Sequence, residues 1–298
     1  MPELPEVETI VRGLNKMVLG ACIQDVKVFN DKLLQDTPAD IFIRTLIGKN
    51  ILKISRYGKF IIFTLTENWY LLVHLRMSGH FLLTEDDNRH IHIKICTDKN
   101  AFFYADPRKF GRFYLTQNKE IYLKNLGIDP IKPSFLEISP VRTSSLSACS
   151  NNFTLEKLKI LLKKKNKTIK SFLLSQDMIA GIGNIYADEI LWRAQIHPLS
   201  RTFAIDCQKK LFNAIKTALL DGIKYHGTSL GKSKQNFCDI FGHFGQNNTK
   251  LNVYQREGEK CYRCHHIILR MKIASRSSYF CPQCQILNVS SKKCKGPK

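Results

Sequence analysis

Apolar residues fall at helical spacing almost from the start of the chain. Val7, Ile10, Val11, Leu14 and Val18 share one face, which predicts a helix with one side buried. Pro5-Glu6-Val7-Glu8-Thr9 supplies its start, with proline in the first turn and acids close behind. The period then changes. Residues 22–29 and 50–66 contain strand-like runs, Trp69 to His74 is another, and Ile91, Ile93 and Ile95 alternate with His92 and Lys94. Thr97-Asp98-Lys99-Asn100 reads as a hairpin turn into a return strand from Ala101 to Tyr104. This spacing predicts a largely antiparallel β-sandwich over residues 1–130, led by the helix. Residues 131–150 hold Pro133, Pro140 and a Ser-rich run with little periodicity, and read as a linker. Helical patterns return over 151–230. They run through Leu155, Leu158 and Leu162, through Phe172 to Ile179, from the break Gly181-Ile182-Gly183-Asn184 to Trp192, and through Leu211, Ile215, Ala218 and Leu219. A cysteine-bounded hairpin over 252–286 and a lysine-rich tail over 287–298 complete an α+β chain. The tail is expected to be disordered, adding only non-specific attraction to polyanions.

Composition narrows the partner. The 298 residues carry a net charge of +21, of which residues 1–130 hold +3 and residues 131–298 hold +18. So asymmetric a basic charge points to a polyanion, nucleic acid before a membrane surface or an acidic protein. No apolar run is long enough to cross a bilayer and the first residues are acidic and amphipathic, so a cytoplasmic protein without a membrane partner is expected.

Four of the ten cysteines form the pattern Cys261-x2-Cys264-x16-Cys281-x2-Cys284; Cys22, Cys96, Cys149, Cys207, Cys238 and Cys294 are scattered. Two Cys-x2-Cys knuckles at this spacing suit one tetrahedral zinc ion, a redox pair being the distant alternative. With four thiolates the shell is closed. The metal is then structural and holds a hairpin too small to be stable alone. His265 and His266 stand beside the second cysteine, but the four thiolates suffice.

The N-terminus carries a second candidate chemistry. Pro2 follows the initiator Met, so removal of the initiator leaves a secondary amine near the positive end of the first helix. An α-amino group has a pKa near ~8, against ~10.4 for Lys, so more of it is in the neutral, nucleophilic form. Glu3 lies beside it as a general acid or base. The competing reading is a plain helix start whose acids complement the dipole.

Other stretches also admit two readings. Lys59, in Arg56-Tyr57-Gly58-Lys59-Phe60, is either a solvated edge lysine or a reactive one. Met77, in His74-Leu75-Arg76-Met77-Ser78-Gly79, is either core filler or a wedge between base steps. Asp106-Pro107-Arg108-Lys109-Phe110-Gly111-Arg112 is either a basic hairpin or an arginine and a stacking ring that meet DNA. Lys163-Lys164-Lys165-Asn166-Lys167-Thr168-Ile169-Lys170 is a solvated block or a backbone grip. Gly-x-Gly before Asn184 permits close approach of phosphate to a helix start, although it is not the dinucleotide fingerprint.

Taken in order, Pro2-Glu3-Leu4-Pro5-Glu6-Val7-Glu8-Thr9, the His-Leu-x-Met-Ser-Gly turn, the Gly-Ile-Gly-Asn-Ile-Tyr-Ala-Asp-Glu stretch and Arg276-Ser-Ser-Tyr-Phe-Cys-Pro-Gln-Cys resemble the formamidopyrimidine-DNA glycosylases. The resemblance implies an N-terminal β-sandwich, a helix-two-turn-helix domain and a β-hairpin zinc finger, in a monomer acting on damaged double-stranded DNA. It assigns Pro2 as the Schiff-base nucleophile, Glu3 as proton donor in base removal, Lys59 as proton donor for β-elimination and Arg276 to phosphate contact and δ-elimination. Met77 would fill the space left by an everted nucleotide, Phe110 would complete the wedge, and Arg108 would contact the orphaned base and nearby backbone. His90, Lys165, Lys170 and Asn184 would contact DNA, and Glu189 would order the site.

The implied activity is base-excision repair of oxidised purines, 8-oxoguanine and formamidopyrimidines, with strand cleavage by β,δ-elimination. Residues 228–251 depart from the family pattern where a loop covers the extruded base, which leaves the lesion preference open. An oxidised-pyrimidine glycosylase like endonuclease VIII and a non-catalytic zinc-finger DNA-binding protein are the alternatives.

Overall fold

The structure, a computed structural model, describes residues 1–85, 90–131, 152–231 and 237–287. Nearly all of the expected linker and basic tail therefore lies outside the described residues. These residues form two compact units: one takes Met1–Asn125 with Asp221–Thr249, the other Leu126–Ile131 with the described parts of 148–220 and 250–298.

The first unit begins with helix α1 (Leu4–Val18). Its predicted stripe is buried, Val7, Ile10, Val11, Leu14 and Val18 being no more than 2% exposed. Each such side chain contributes about 1.5–3 kcal/mol on burial. Two sheets follow. Strands β1 (Ile23–Val28), β6 (His80–Leu82), β7 (Ile91–Thr97) and β8 (Ala101–Ala105) pair in the order β1-β7-β8-β6. Strands β2 (Leu34–Gln35), β3 (Ile51–Tyr57), β4 (Phe60–Leu65), β5 (Tyr70–His74) and β9 (Arg112–Thr116) pair as β2-β9-β5-β4-β3. Helix α2 (Ala39–Leu46) and the short α3 (Glu120–Leu123) complete the order. One core unites α1 with both sheets, Phe63 of β4 stacking on Phe102 of β8 with ring centroids 6.0 Å apart. The pairing is antiparallel, as the alternation predicts, except that β2 runs parallel to β9. That strand has two residues, too few to show a period.

In the second unit, α4 (Leu155–Lys164), α5 (Ile169–Leu174), α6 (Asn184–Ala194) and most of α7 (Gln208–Lys224) precede a hairpin of β10 (Leu269–Ile273) and β11 (Arg276–Phe280). Thr154 and Thr168 cap α4 and α5, accepting from Lys157 N–H and Ser171 N–H. Asp221–Thr249 groups with the first unit, whereas the sequence pattern assigns residues 221–230 to the helical domain. The cause is packing: Ile240 is buried in the sandwich core and Phe237 lies against it. Among the described residues no helix is long and apolar enough to cross a membrane.

Candidate active site and nucleic-acid interface

The head of α1 is desolvated. Pro2 is buried, and Glu3, the N-cap residue, is 2% exposed. Glu6, one turn in, accepts the Glu3 N–H and the Thr228 N–H, both at 2.8 Å. One carboxylate thus ties the first residues to the root of segment 228–247. That root is further knitted by Asn247, which donates its N–H to the Gly227 carbonyl and its side-chain amide to Thr228 Oγ1. Glu8 accepts from Arg56 Nε at 2.8 Å with both side chains buried, and Asn15 Nδ2 donates to the Ile54 carbonyl at 2.9 Å. These contacts fasten α1 to β3, the strand that leads into Lys59.

Gly58 and Lys59 form the two-residue turn between β3 and β4, with Gly58 at φ 54°. Lys59 is only 7% exposed, which removes the solvated edge-lysine reading. His74, at the end of β5, stacks edge-on against Phe60 with centroids 4.9 Å apart. Burial, reinforced by the Arg76 and Lys59 cations, pushes the His74 pKa down to about 3. The ring is therefore neutral at physiological pH, and its Nδ1 accepts the Arg76 N–H at 3.1 Å.

Met77 and Phe110 project from two neighbouring chain crossings between the sheets, 46% and 44% exposed. Exposure of Met77 removes the core-filler reading. Arg108 is also exposed, its guanidinium 4.9 Å from the Phe110 ring centroid. His90 sits just before β7, where its carbonyl accepts the Asp106 N–H at 3.0 Å.

In the second unit, Lys165 is exposed and pairs with Asp177 at 2.9 Å. Lys170 is placed differently from its expected role at the DNA. It is fully buried, with Nζ 2.6 Å from Asp188 and 3.1 Å from the Asn184 carbonyl. An ammonium held inward by a carboxylate is an internal strut. Asn184 opens α6 after Gly183 and gives Nδ2 to the Ser277 carbonyl at 2.9 Å, while its buried Oδ1 has no partner among the described residues. Asp188 also accepts the Tyr279 N–H at 3.1 Å. Glu189 accepts the N–H groups of Asn252, Val253 and Tyr254, so it anchors the strand of chain entering the cysteine hairpin.

Cys261, Cys264, Cys281 and Cys284 bring their sulfurs within 4.8 Å of one another, with Cys261–Cys284 at 3.9 Å and Cys264–Cys281 at 3.3 Å. Sulfurs bound tetrahedrally to zinc at about 2.3 Å stand about 3.8 Å apart, so the set fits one ion. Cys261 Sγ accepts from Trp192 Nε1 and from the Arg263 N–H, each at 3.4 Å, donors that favour thiolate over thiol. His265 and His266 are exposed and outside the cluster. Arg276 is exposed, paired with Ile273 across the tight turn Ala274-Ser275, where both residues have positive φ.

Sequence reasoning names Glu6 and Glu8 only as helix-start acids and does not assign Arg56, Asp106 or Asp188. Glu6 was visible as a capping-box acid, but its second partner lies 222 residues away.

Three family models match along the chain: the formamidopyrimidine-DNA glycosylase N-terminal domain over residues 1–113, its H2TH domain over 145–234, and a zinc finger found in FPG and IleRS over 258–286. A formamidopyrimidine-DNA glycosylase of Protochlamydia amoebophila is 36% identical over 292 residues, covering 96% of this chain and 99% of the relative. A relative of the same name in Lactiplantibacillus plantarum is 37% identical, covering 95% and 98%. Among solved structures, the Lactococcus lactis Fpg bound to DNA containing an abasic site matches with a TM-score of 0.81 at 33% identity, covering 95% of this chain and 99% of that one. The Thermus thermophilus MutM (Fpg) protein matches with a TM-score of 0.81 at 30% identity, covering 95% and 98%. With its helix-led sandwich, helical H2TH region and four-cysteine hairpin matched in order, this chain belongs to the formamidopyrimidine-DNA glycosylase family.

Proposed function

We propose that this chain is a bifunctional DNA glycosylase and abasic-site lyase that removes oxidised purines from duplex DNA. The observation that carries the reading is the buried Pro2-Glu3 pair at the head of α1, clamped through Glu6, on a helix that packs against β3 and β4, whose connecting turn carries the equally buried Lys59. Groups already withdrawn from water and fixed in place suit covalent catalysis. Support comes also from the Lactococcus lactis relative, solved with DNA containing Fapy-dG and with DNA containing an abasic site.

With the initiator removed, the Pro2 nitrogen attacks C1′ of the damaged nucleoside. Glu3 supplies the proton that accompanies rupture of the glycosidic bond, and the base leaves. The amine gives up its proton and the C1′–O4′ bond breaks, O4′ taking up a proton, so that the opened sugar is held as an iminium that makes the C2′ proton acidic. Its loss expels the 3′ phosphate, with Lys59 in the proton transfers, and a second elimination expels the 5′ phosphate. The product is a gap with phosphate at both ends. Met77 fills the space of the everted nucleotide, Phe110 completes the wedge and Arg108 contacts the orphaned base and nearby backbone. His90, Lys165 and Asn184 contact the DNA backbone and Arg276 grips phosphates around the lesion. Lys170 acts from inside, holding Asp188 and the start of α6 in place. Zinc bound by the four cysteines fixes the hairpin that carries Arg276 and takes no part in bond breaking.

Incubation with duplexes carrying either 8-oxoguanine opposite cytosine or thymine glycol tests the reading. Faster excision of 8-oxoguanine, with phosphate on both ends of the gap, is expected. Preference for thymine glycol would move the chain to the oxidised-pyrimidine reading, and binding without excision of either would leave only a DNA-binding protein.

A further inference from the structure

Both wedge-bearing segments are crossings between the two sheets. Residues 75–79 carry the chain from β5 to β6, and residues 106–111 carry it from β8 to β9. Since β5 pairs with β9 and β6 with β8, the two crossings run side by side, rooted where His74 faces Arg112 and His80 faces Ala105. Backbone pairing ends at those roots. Between them, one side chain takes over.

Asp106 is wholly buried. Its Oδ1 accepts the Ser78 hydroxyl of the first crossing at 2.5 Å and the Arg108 N–H of the second at 3.1 Å. Its Oδ2 accepts the Gly111 N–H at 2.8 Å and the Tyr104 hydroxyl at 3.3 Å. The phenol fills the remaining space. A Cβ placed on Gly79 or on Gly111 would lie 2.1 Å or 1.7 Å from the Tyr104 hydroxyl oxygen, so each crossing closes on the same atom with a glycine. The Asp106 main chain completes the joint, its carbonyl meeting His92 Nε2 at 2.9 Å and accepting the Lys109 N–H at 3.1 Å.

We propose that Asp106, with Tyr104, is a positioning residue for base eversion: it buckles the two crossings together so that Met77 and the Arg108–Phe110 pair enter the duplex as one wedge. The inference rests on the function proposed above. A buried carboxylate with four donors, drawn from both loops, couples them far more tightly than contact between exposed side chains. Losing the buckle leaves the Pro2 chemistry intact and lets each loop move alone.

The test compares wild type, Asp106→Asn, Tyr104→Phe and Ser78→Ala on two substrates, duplex DNA with 8-oxoguanine and a single-stranded oligonucleotide with a preformed abasic site. Asp106→Asn should slow duplex excision by about tenfold or more, as expected for buried bonds to a charged acceptor, with the smaller changes at Tyr104 and Ser78 following in the same direction. Cleavage of the single strand should stay within about twofold in all three, since no base needs to be everted. A 2-aminopurine opposite the lesion should brighten more slowly in step with excision. Coupling provides the sharper reading. In wild type, Met77→Ala and Phe110→Ala should be non-additive on duplex excision, and in the Tyr104→Phe background they should become additive. Equal loss on both substrates, or Met77–Phe110 coupling unchanged in Tyr104→Phe and Ser78→Ala, would overturn the proposal. Absence of any strand cleavage by the wild type would instead overturn the function on which it rests.

Discussion

The head of α1 and the cysteine hairpin are both held by carboxylates on helices, yet they solve different problems. At the head, Glu6 and Glu8 bind main-chain N–H groups and Arg56, and the groups assigned to chemistry, Pro2, Glu3 and Lys59, are buried. At the hairpin, Asp188 and Glu189 bind the N–H groups of Tyr279 and of residues 252–254, while Arg276 at its tip is exposed. The head is stabilised by a continuous apolar core. The hairpin has a small cluster of Val253, Ile268 and cysteines, and needs its metal. Charge follows the same division, +3 over the first 130 residues against +18 over the rest. On the proposed mechanism, bond breaking relies on desolvated, prepositioned groups, whereas grip relies on exposed cations that salt screens.

That contrast makes the two regions separable by mutation. The largest effect is expected at the head. Glu3→Gln keeps the shape of the side chain and removes its acidity, so excision of 8-oxoguanine should fall by about 10²- to 10⁴-fold. Cleavage at a preformed abasic site, which has no base to expel, should survive substantially. Base excision at the wild-type rate would show that the buried acid is merely a cap. At the hairpin, Cys261→Ser should lose zinc and affinity for lesion duplex together, with affinity reduced about 10- to 100-fold. Metal analysis and titration by anisotropy check this, and full affinity without metal would dissolve the contrast.

A third expectation probes how dry the surroundings of Lys59 are. His74 has its pKa lowered to about 3 by burial first and by the Arg76 and Lys59 charges second. Unfolded, it binds a proton below about 6.5 while the folded form does not. Its contribution to stability is therefore complete above that pH and is lost as the pH falls towards 3. Between neutrality and pH 5 this amounts to about 2 kcal/mol, a loss that His74→Gln should not share. Chemical denaturation of both proteins at the two pH values measures it, and identical pH dependence would place His74 in contact with water. The smallest effect belongs to the exposed region. Lys165→Ala should weaken binding only a few-fold and lower the slope of log affinity against log salt by about one. An unchanged slope would leave Lys165 paired with Asp177 in the complex as it is here.

Much of the fold was legible because it rests on local periodicity. The stripe of α1, the alternation of β7 and the cysteine spacing each need only a few neighbouring residues. Strand β2 escaped because two residues carry no period, and residues 237–249 belong to no domain read from the sequence because Ile240 meets the sandwich core only after the chain has returned to it. The site divides similarly. The thiolates are announced by residue type and spacing, whereas Pro2 and Glu3 by themselves also read as a plain helix start and are proposed as reactive groups through the family resemblance. Buried polar partners are not announced, since Thr228 reaches Glu6, and Ser78 and Tyr104 reach Asp106, only through the tertiary structure. Lys170 gives the converse lesson: a lysine in a basic run looks like surface, and only Asp188, one turn after Asn184 on α6, turns it inward.

The central claim is that the Pro2 nitrogen is the covalent nucleophile, and borohydride trapping on an abasic duplex followed by peptide mapping tests it most directly. Reduction converts the iminium into a stable amine, so the adduct records which nitrogen attacked. The account predicts one deoxyribose-bearing peptide, beginning at Pro2, with trapping that increases with pH through the titration of an α-amine near ~8. A sugar found on the peptide containing Lys59, with Pro2 unmodified, would contradict it.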